Sequence, residues 1–134
     1  MPSDYPTCEE RIDAAMTKRI AHIRKLLDLY YEGNDEDDPD LGNIWEYGLS
    51  LEWSQPDDED EPRYIRYILS TGGPHEEFRF WLPSQGSRTG SPSFIKFVYQ
   101  DWWDGAERQV MGDDIDTMAE LYEWFIDAMP DPED

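Results

Sequence analysis

Carboxylate side chains are the most numerous groups in this sequence that could bind a ligand or take part in catalysis, and they occur in runs. Residues 32 to 61 contain thirteen Asp or Glu and no Lys or Arg, and residues 101 to 134 contain twelve acids beside the single base Arg108. The formal net charge of the 134 residues is -21. Such carboxylates could bind a divalent cation, act as a catalytic acid and base, or attract a basic protein.

A calcium loop is the most specific of these possibilities, and the spacing argues against it. Counted from Asp35, the fifth position of a calcium loop is Pro39, and the glycine expected at position six comes only at position eight, Gly42. Because there are 32 acids to choose from, no particular pair is singled out as a catalytic acid and base. The sequence therefore predicts no metal, no cofactor and no enzymatic activity.

Cysteine and histidine, whose side chains can act as nucleophiles or bind metals, are few. Cys8 is the single cysteine, which excludes an intrachain disulfide, a CxxC redox pair and a cysteine-rich zinc site. We expect it to be a partly buried, small apolar residue in the first turn of a helix. His22 and His75 have no nucleophile or metal partner at a recognisable spacing, and we expect structural or solvent-exposed roles for both.

The elements that must position the acids begin with a helix over residues 8 to 31. Thr7 and Glu10 fit a capping box, apolar residues recur at spacings of three and four, and Gly33 is a natural stop. Five of the chain's eleven basic residues fall on this helix: Arg11, Lys18, Arg19, Arg24 and Lys25.

Strand patterns follow. Apolar residues alternate from Trp45 to Trp53, which predicts a half-buried strand over these nine residues. Residues 63 to 70 and 76 to 82 predict two more strands, joined by a hairpin through STGGPH.

A fourth strand is predicted from Phe94 to Trp103. The Asp104-Gly105 pair predicts a two-residue turn into a fifth strand over 106 to 111. In that register Trp103 faces Ala106 and Asp101 faces Arg108.

A second amphipathic helix is predicted from a cap at Asp113 or Asp114 to Met129, with Pro130 ending it. One helix, an antiparallel meander of four to five strands and a C-terminal helix make an α+β fold, with both helices on one face of the sheet. We expect a single domain over residues 1 to 134, with acidic loops at 32 to 43 and 54 to 62.

Four acids of the second helix are regularly spaced. They follow one another at intervals of four, three and four, which places them in a line away from the apolar face, roughly 5 to 6 Å apart along the axis. Acids near the end of a helix oppose its dipole, so this line costs stability. Its members are Asp116, Glu120, Glu123 and Asp127.

Two runs of acids flank the first predicted strand. Nine extended residues span roughly 30 Å, which is close to the roughly 34 Å of one turn of B-form DNA. The strand over 45 to 53 is thus predicted to act as a spacer between two acidic clusters.

The segments NDEDDPD, QPDDEDE and DDIDTMAELYEWFIDAMPDPED, in a small chain poor in cysteine, resemble the acidic DNA-mimic proteins of phages and mobile elements, including anti-CRISPR and antirestriction proteins. The resemblance lies in charge and architecture. It implies a non-enzymatic inhibitor that blocks the nucleic-acid-binding groove of a host defence protein such as a CRISPR effector or a restriction enzyme. The alternative is an immunity protein that neutralises a basic nuclease toxin through a compact acidic patch with aromatic anchors.

Both hypotheses predict a basic nucleic-acid-binding protein as partner, with no direct contact to nucleic acid and none to a membrane. We expect a monomer or homodimer in the cytoplasm of a bacterial host cell, since the sequence has neither a signal peptide pattern nor a long apolar run. The residues predicted to bind the partner are Asp35, Glu36, Asp37, Asp38, Asp40, Glu46, Glu52, Asp57, Asp58, Glu59, Asp60, Glu61, Asp116, Glu120, Glu123 and Asp127.

Overall fold

A helix, five strands and a second helix follow one another along the chain. The computed structural model describes residues 7–33, 37–54, 63–83, 91–101 and 103–128. This order confirms the predicted α+β architecture. The elements are α1 (Cys8–Tyr31), β1 (Ser50–Trp53), β2 (Tyr64–Ser70), β3 (His75–Trp81), β4 (Phe94–Asp101), β5 (Asp104–Gln109) and α2 (Asp113–Ala128).

The ends of α1 are set by the local signals expected from the sequence. The Thr7 hydroxyl accepts a hydrogen bond from the Glu10 backbone N–H at 3.2 Å, which satisfies one of the free donors of the first turn. At the other end Gly33 has φ 70, a left-handed conformation that glycine adopts without strain. Both predicted boundaries of this helix are confirmed.

The five strands form one antiparallel sheet in the order β1-β2-β3-β4-β5. Both helices pack on the same face of it: Phe125 of α2 contacts Tyr67 of β2, and the Arg11 guanidinium of α1 lies over Tyr99 of β4. Residues directly opposite each other across these strands share this face. The core between sheet and helices is built on fully buried side chains, the largest being Tyr122, Phe78, Phe80, Phe97, Ile12, Ile20 and Ile23.

The first predicted strand is correct only for residues 50 to 53. Before it, the Asn43 side chain accepts a hydrogen bond from the Glu46 backbone N–H at 3.0 Å, and this local bond holds a turn where the period of two predicted a strand. Trp45 and Leu49 are each 63% exposed. Four extended residues span about 13 Å, so the predicted 30 Å spacer is wrong.

The last hairpin turns two residues earlier than predicted. Asp101 pairs with Asp104, Tyr99 with Ala106 and Phe97 with Arg108, so Asp104 and Gly105 already belong to β5. The expected pairs of Trp103 with Ala106 and of Asp101 with Arg108 are therefore wrong. Asp104 instead accepts a hydrogen bond from the Cys8 backbone N–H at 2.7 Å, which ties the start of β5 to the start of α1.

Candidate protein-binding surface

Most of the described basic side chains are held in ion pairs within the protein. Four of the five on α1 bind described acids at 2.7 to 2.9 Å, and Arg108 of β5 binds two acids of α1. The positive charge of the chain is thus largely used inside the fold. The pairs are Arg11–Asp101, Arg19–Glu76, Arg24–Asp114, Lys25–Asp38, Arg108–Glu9 and Arg108–Asp13.

A further cluster lies on the face of the sheet that the helices do not cover. Glu77 is only 1% exposed and accepts hydrogen bonds from Arg66 and Arg79 at 2.7 Å, with His75 at 2.6 Å. Although burial by itself raises the pKa of Glu77, these hydrogen bonds lower it to about 2. Since Arg66 lies on β2 and Glu77 on β3, the buried carboxylate helps to hold these neighbouring strands together.

The two histidines and the cysteine have structural surroundings. His22 Nδ1 lies 2.8 Å from the Tyr47 hydroxyl, and this contact joins α1 to the segment before β1. His75 belongs to the Glu77 cluster. Cys8 lies in the first turn of α1, as expected, but is fully rather than partly buried, and burial raises the pKa of its thiol. Within the described residues, no group of three or more His, Cys, Asp or Glu is arranged to hold a metal ion.

Asp38 differs from the other predicted site residues that the structure describes, because its side chain is only 4% exposed. It accepts hydrogen bonds from the backbone N–H groups of Asp40 and Leu41 at 2.9 Å and pairs with Lys25 at 2.7 Å. Lys25, together with these two backbone groups, lowers the pKa of Asp38 to about 2. The Asp38 carboxylate thus fixes the turn at 38 to 42 against α1, and its contact with a partner stays a prediction.

The four acids of α2 that were predicted to bind a partner have the opposite surroundings. All four are exposed, and none forms an ion pair with any residue that the structure describes. The last turn of α2 has no basic residue to offset them. They form one line along the outer side of the helix, as predicted, and we call this line the acidic stripe: Asp116, Glu120, Glu123 and Asp127.

The other predicted acids lie in two groups. Four are exposed at the turn before β1 or on β1 itself: Asp37, Asp40, Glu46 and Glu52. The predictions for Asp35 and Glu36, and for the second run at Asp57, Asp58, Glu59, Asp60 and Glu61, lie outside the described residues.

Four aromatic rings from three parts of the chain meet beside the acidic stripe. The rings of Trp45 and Trp124 stack at 4.6 Å with 26° between their planes, and Tyr30 lies edge-on to Trp124 at 4.2 Å. The Trp124 indole N–H donates to the Tyr31 hydroxyl at 3.3 Å. Three of the four rings are about half exposed or more. We call Tyr30, Tyr31, Trp45 and Trp124 the aromatic patch.

The aromatic patch and the acidic stripe are neighbours on α2. Glu120 lies four residues before Trp124 and Asp127 lies three residues after it, and both spacings put side chains on one side of a helix. Glu46 follows Trp45 directly in the sequence. Exposed rings with an acidic border are the arrangement expected of an interface with a basic partner, because buried aromatic anchors carry much of the energy of such interfaces.

In the described part of the chain, no helix is both long enough and apolar enough to cross a lipid bilayer. No protein-family model matches this sequence, and neither a curated protein nor a solved structure matches it. Function must therefore be argued from the surface itself.

Proposed function

We propose that this protein is a non-enzymatic inhibitor that binds a basic, nucleic-acid-handling protein and covers its phosphate-binding surface. The observation that carries the proposal is the acidic stripe: four exposed carboxylates in a line, without an ion-pair partner among the described residues, beside exposed aromatic rings. A host defence protein such as a CRISPR effector or a restriction enzyme is the proposed class of target.

The physical basis is competition with phosphate. Proteins that bind nucleic acid use Lys and Arg to neutralise a regular row of negative charges, and that attraction dominates their affinity. Carboxylates at intervals of three and four residues on a rigid helix present a similar row, roughly 5 to 6 Å apart. Because four of the five basic residues of α1 are already paired with acids, they do little to cancel this field.

A second candidate function is supported by the aromatic patch. An immunity protein that neutralises a basic nuclease toxin is expected to use a compact acidic surface with aromatic anchors, and Trp45 and Trp124 provide such anchors. The loss of the predicted 30 Å spacer also favours a compact contact over an extended imitation of duplex DNA. A nuclease toxin gene beside the gene for this chain would favour the second candidate, and phage or plasmid genes would favour the first.

The proposal can be tested with bacterial lysate enriched on heparin, which retains basic nucleic-acid-binding proteins. The immobilised protein should retain a component of this fraction that is displaced by added duplex DNA and by salt. When saturated with our protein, the purified component should lose its own DNA binding or nuclease activity. A bound component that keeps full activity, or the absence of any bound component, would contradict the proposal.

Matched charge reversals identify the surface responsible. Glu120→Lys with Asp127→Lys reverses the two acids that flank Trp124, and binding should weaken by about tenfold or more. Glu10→Lys with Asp113→Lys changes the net charge equally at two other exposed acids and should weaken binding much less. Equal losses in the two double variants would mean that net charge alone matters.

The protein alone should not bind nucleic acid. With a net charge of -21 it repels phosphate, so a mobility-shift experiment with duplex DNA should show no complex at low salt.

A further inference from the structure

A cavity of about 210 Å³ opens beside the aromatic patch, between β1 and the last turns of α2. Its walls are mainly apolar, and the described residues that line it include no Asp or Glu. The side chains that define it are Trp45, Leu49, Leu51, Tyr67, Trp124 and Phe125.

Gly48 and Tyr67 shape the inner wall of this cavity. A Cβ atom on residue 48 would lie 2.1 Å from the Tyr67 ring, so only glycine allows the ring to lie so close to the backbone. Tyr67 is 5% exposed, and its hydroxyl lies against the Gly48 backbone without a hydrogen bond of ordinary geometry to a described residue. Burial raises the pKa of this hydroxyl above its usual range. A buried hydroxyl without a full partner is costly, and a ligand that displaces the Gly48 segment on binding would supply the missing bond.

The border of the cavity has a definite charge. Glu46 directly follows the wall residue Trp45, and Glu120 and Asp127 flank the wall residue Trp124 on α2. An apolar cavity with an acidic border and one free hydroxyl is complementary to an aromatic side chain with basic neighbours. A second copy of this chain is a poor occupant, because a symmetric contact would bring one acidic stripe against another.

We propose that this cavity receives one aromatic side chain with a hydrogen-bonding atom, Tyr or Trp, from a Lys- and Arg-rich segment of the partner. The inference rests on the proposed function and specifies how the partner is recognised. The ring packs against Leu51 and Phe125, its polar atom bonds the Tyr67 hydroxyl, and its basic neighbours meet Glu120 and Asp127.

Three acetylated and amidated pentapeptides test this proposal: Lys-Arg-Tyr-Arg-Lys, the same peptide with Phe at the centre, and the same peptide with Ser. Dissociation constants are measured at low salt by NMR titration, following the indole N–H signals of Trp45 and Trp124. Burial of the ring should make the Tyr peptide bind about tenfold more tightly than the Ser peptide. The hydroxyl should make it bind several-fold more tightly than the Phe peptide.

Two variants locate the contact. Tyr67→Phe should abolish the difference between the Tyr and Phe peptides and leave the difference between the Phe and Ser peptides. Leu49→Asn at the border of the cavity should weaken binding of the Tyr peptide. Met111→Asn is the matched control, since Met111 is 64% exposed and Leu49 is 63% exposed, and it should have no effect.

The outcomes separate this inference from the proposed function. If all three peptides bind equally and Glu120→Lys with Asp127→Lys abolishes binding, the acidic surface is active and the cavity proposal is wrong. If none binds, the cavity proposal is likewise overturned, and the function is then judged by the heparin-fraction experiment alone. Tight binding of Gln-Gln-Tyr-Gln-Gln, or dimerisation of the protein that Leu49→Asn abolishes, would also overturn the proposed basic occupant.

Discussion

Carboxylate groups have opposite roles in two regions of the molecule. One region is the sheet face around Glu77, and the other is the outer side of α2. Glu77 is buried among Arg66, Arg79 and His75, whereas the acidic stripe is exposed and has no ion-pair partner among the described residues. A buried carboxylate must be paired because desolvation is costly, while an exposed one can remain available to another molecule. The net charge of -21 thus comes both from acids that hold the fold together and from exposed acids that create a negative electrostatic field outside the protein.

Replacement of Glu77 should give the largest effect. Glu77→Gln leaves two guanidinium groups without their carboxylate, and we expect a loss of about 3 kcal/mol in the free energy of unfolding. Urea denaturation measures this loss. Glu123→Gln is the matched control, the same chemical change on the acidic stripe. Equal effects of the two substitutions would contradict the distinction between structural acids and exposed acids.

Acid should lower the stability of the fold over a defined range of pH. The pKa values of Glu77 and Asp38 are lowered to about 2, below those of an unfolded chain at about 4, so both groups stabilise the fold fully above about pH 5. This contribution should decline as the pH falls from about 5 to 2. The urea midpoint measured across this range should fall less steeply in Glu77→Gln, because glutamine does not titrate. Parallel curves for both proteins would argue against the assignment.

Tyr67→Phe should have a smaller effect of the opposite sign. In the free protein it removes a buried hydroxyl that lacks a described partner, so stability should stay equal or rise by about 1 kcal/mol. Thermal and urea unfolding measure the change. A clear loss of stability would show that the hydroxyl is satisfied within the fold, and it would remove one support of the cavity proposal.

Neutralising one acid of the stripe should give the smallest effect. Glu123 has like charges three residues before it and four residues after it, so Glu123→Gln should raise stability by about 0.2 to 0.5 kcal/mol. The change is measurable as a small increase in Tm. A decrease would indicate that Glu123 has a favourable contact that this conformation does not include.

Local signals allowed prediction of much of the fold. The cap at Thr7, the glycine at residue 33 and the order of helices and strands could all be recognised because each depends on residues close in sequence. The turn before β1 could not, because the Asn43 side chain competes with strand pairing and Trp45 packs on α2 instead. An alternation with a period of two shows which residues are apolar, but it does not show which surface each of them packs against.

The candidate site was predicted only in part for the same reason. The acidic stripe follows from helical spacing alone, and its four residues lie where expected. The aromatic patch and the burial of Glu77 depend on contacts between distant segments, such as Trp45 with Trp124 and Arg66 with Glu77 across a strand pair. Asp38 looked equivalent to its acidic neighbours in sequence, and only its contact with Lys25 distinguishes it.

The stacked pair of Trp45 and Trp124 has an optical consequence. Two indole rings at 4.6 Å with nearly parallel planes have coupled electronic transitions, which give paired bands of opposite sign in circular dichroism. Because one ring comes from the turn before β1 and the other from α2, the signal should depend on the relative position of these two segments. The surface thus contains its own spectroscopic reporter, which can follow a binding event there without any attached dye.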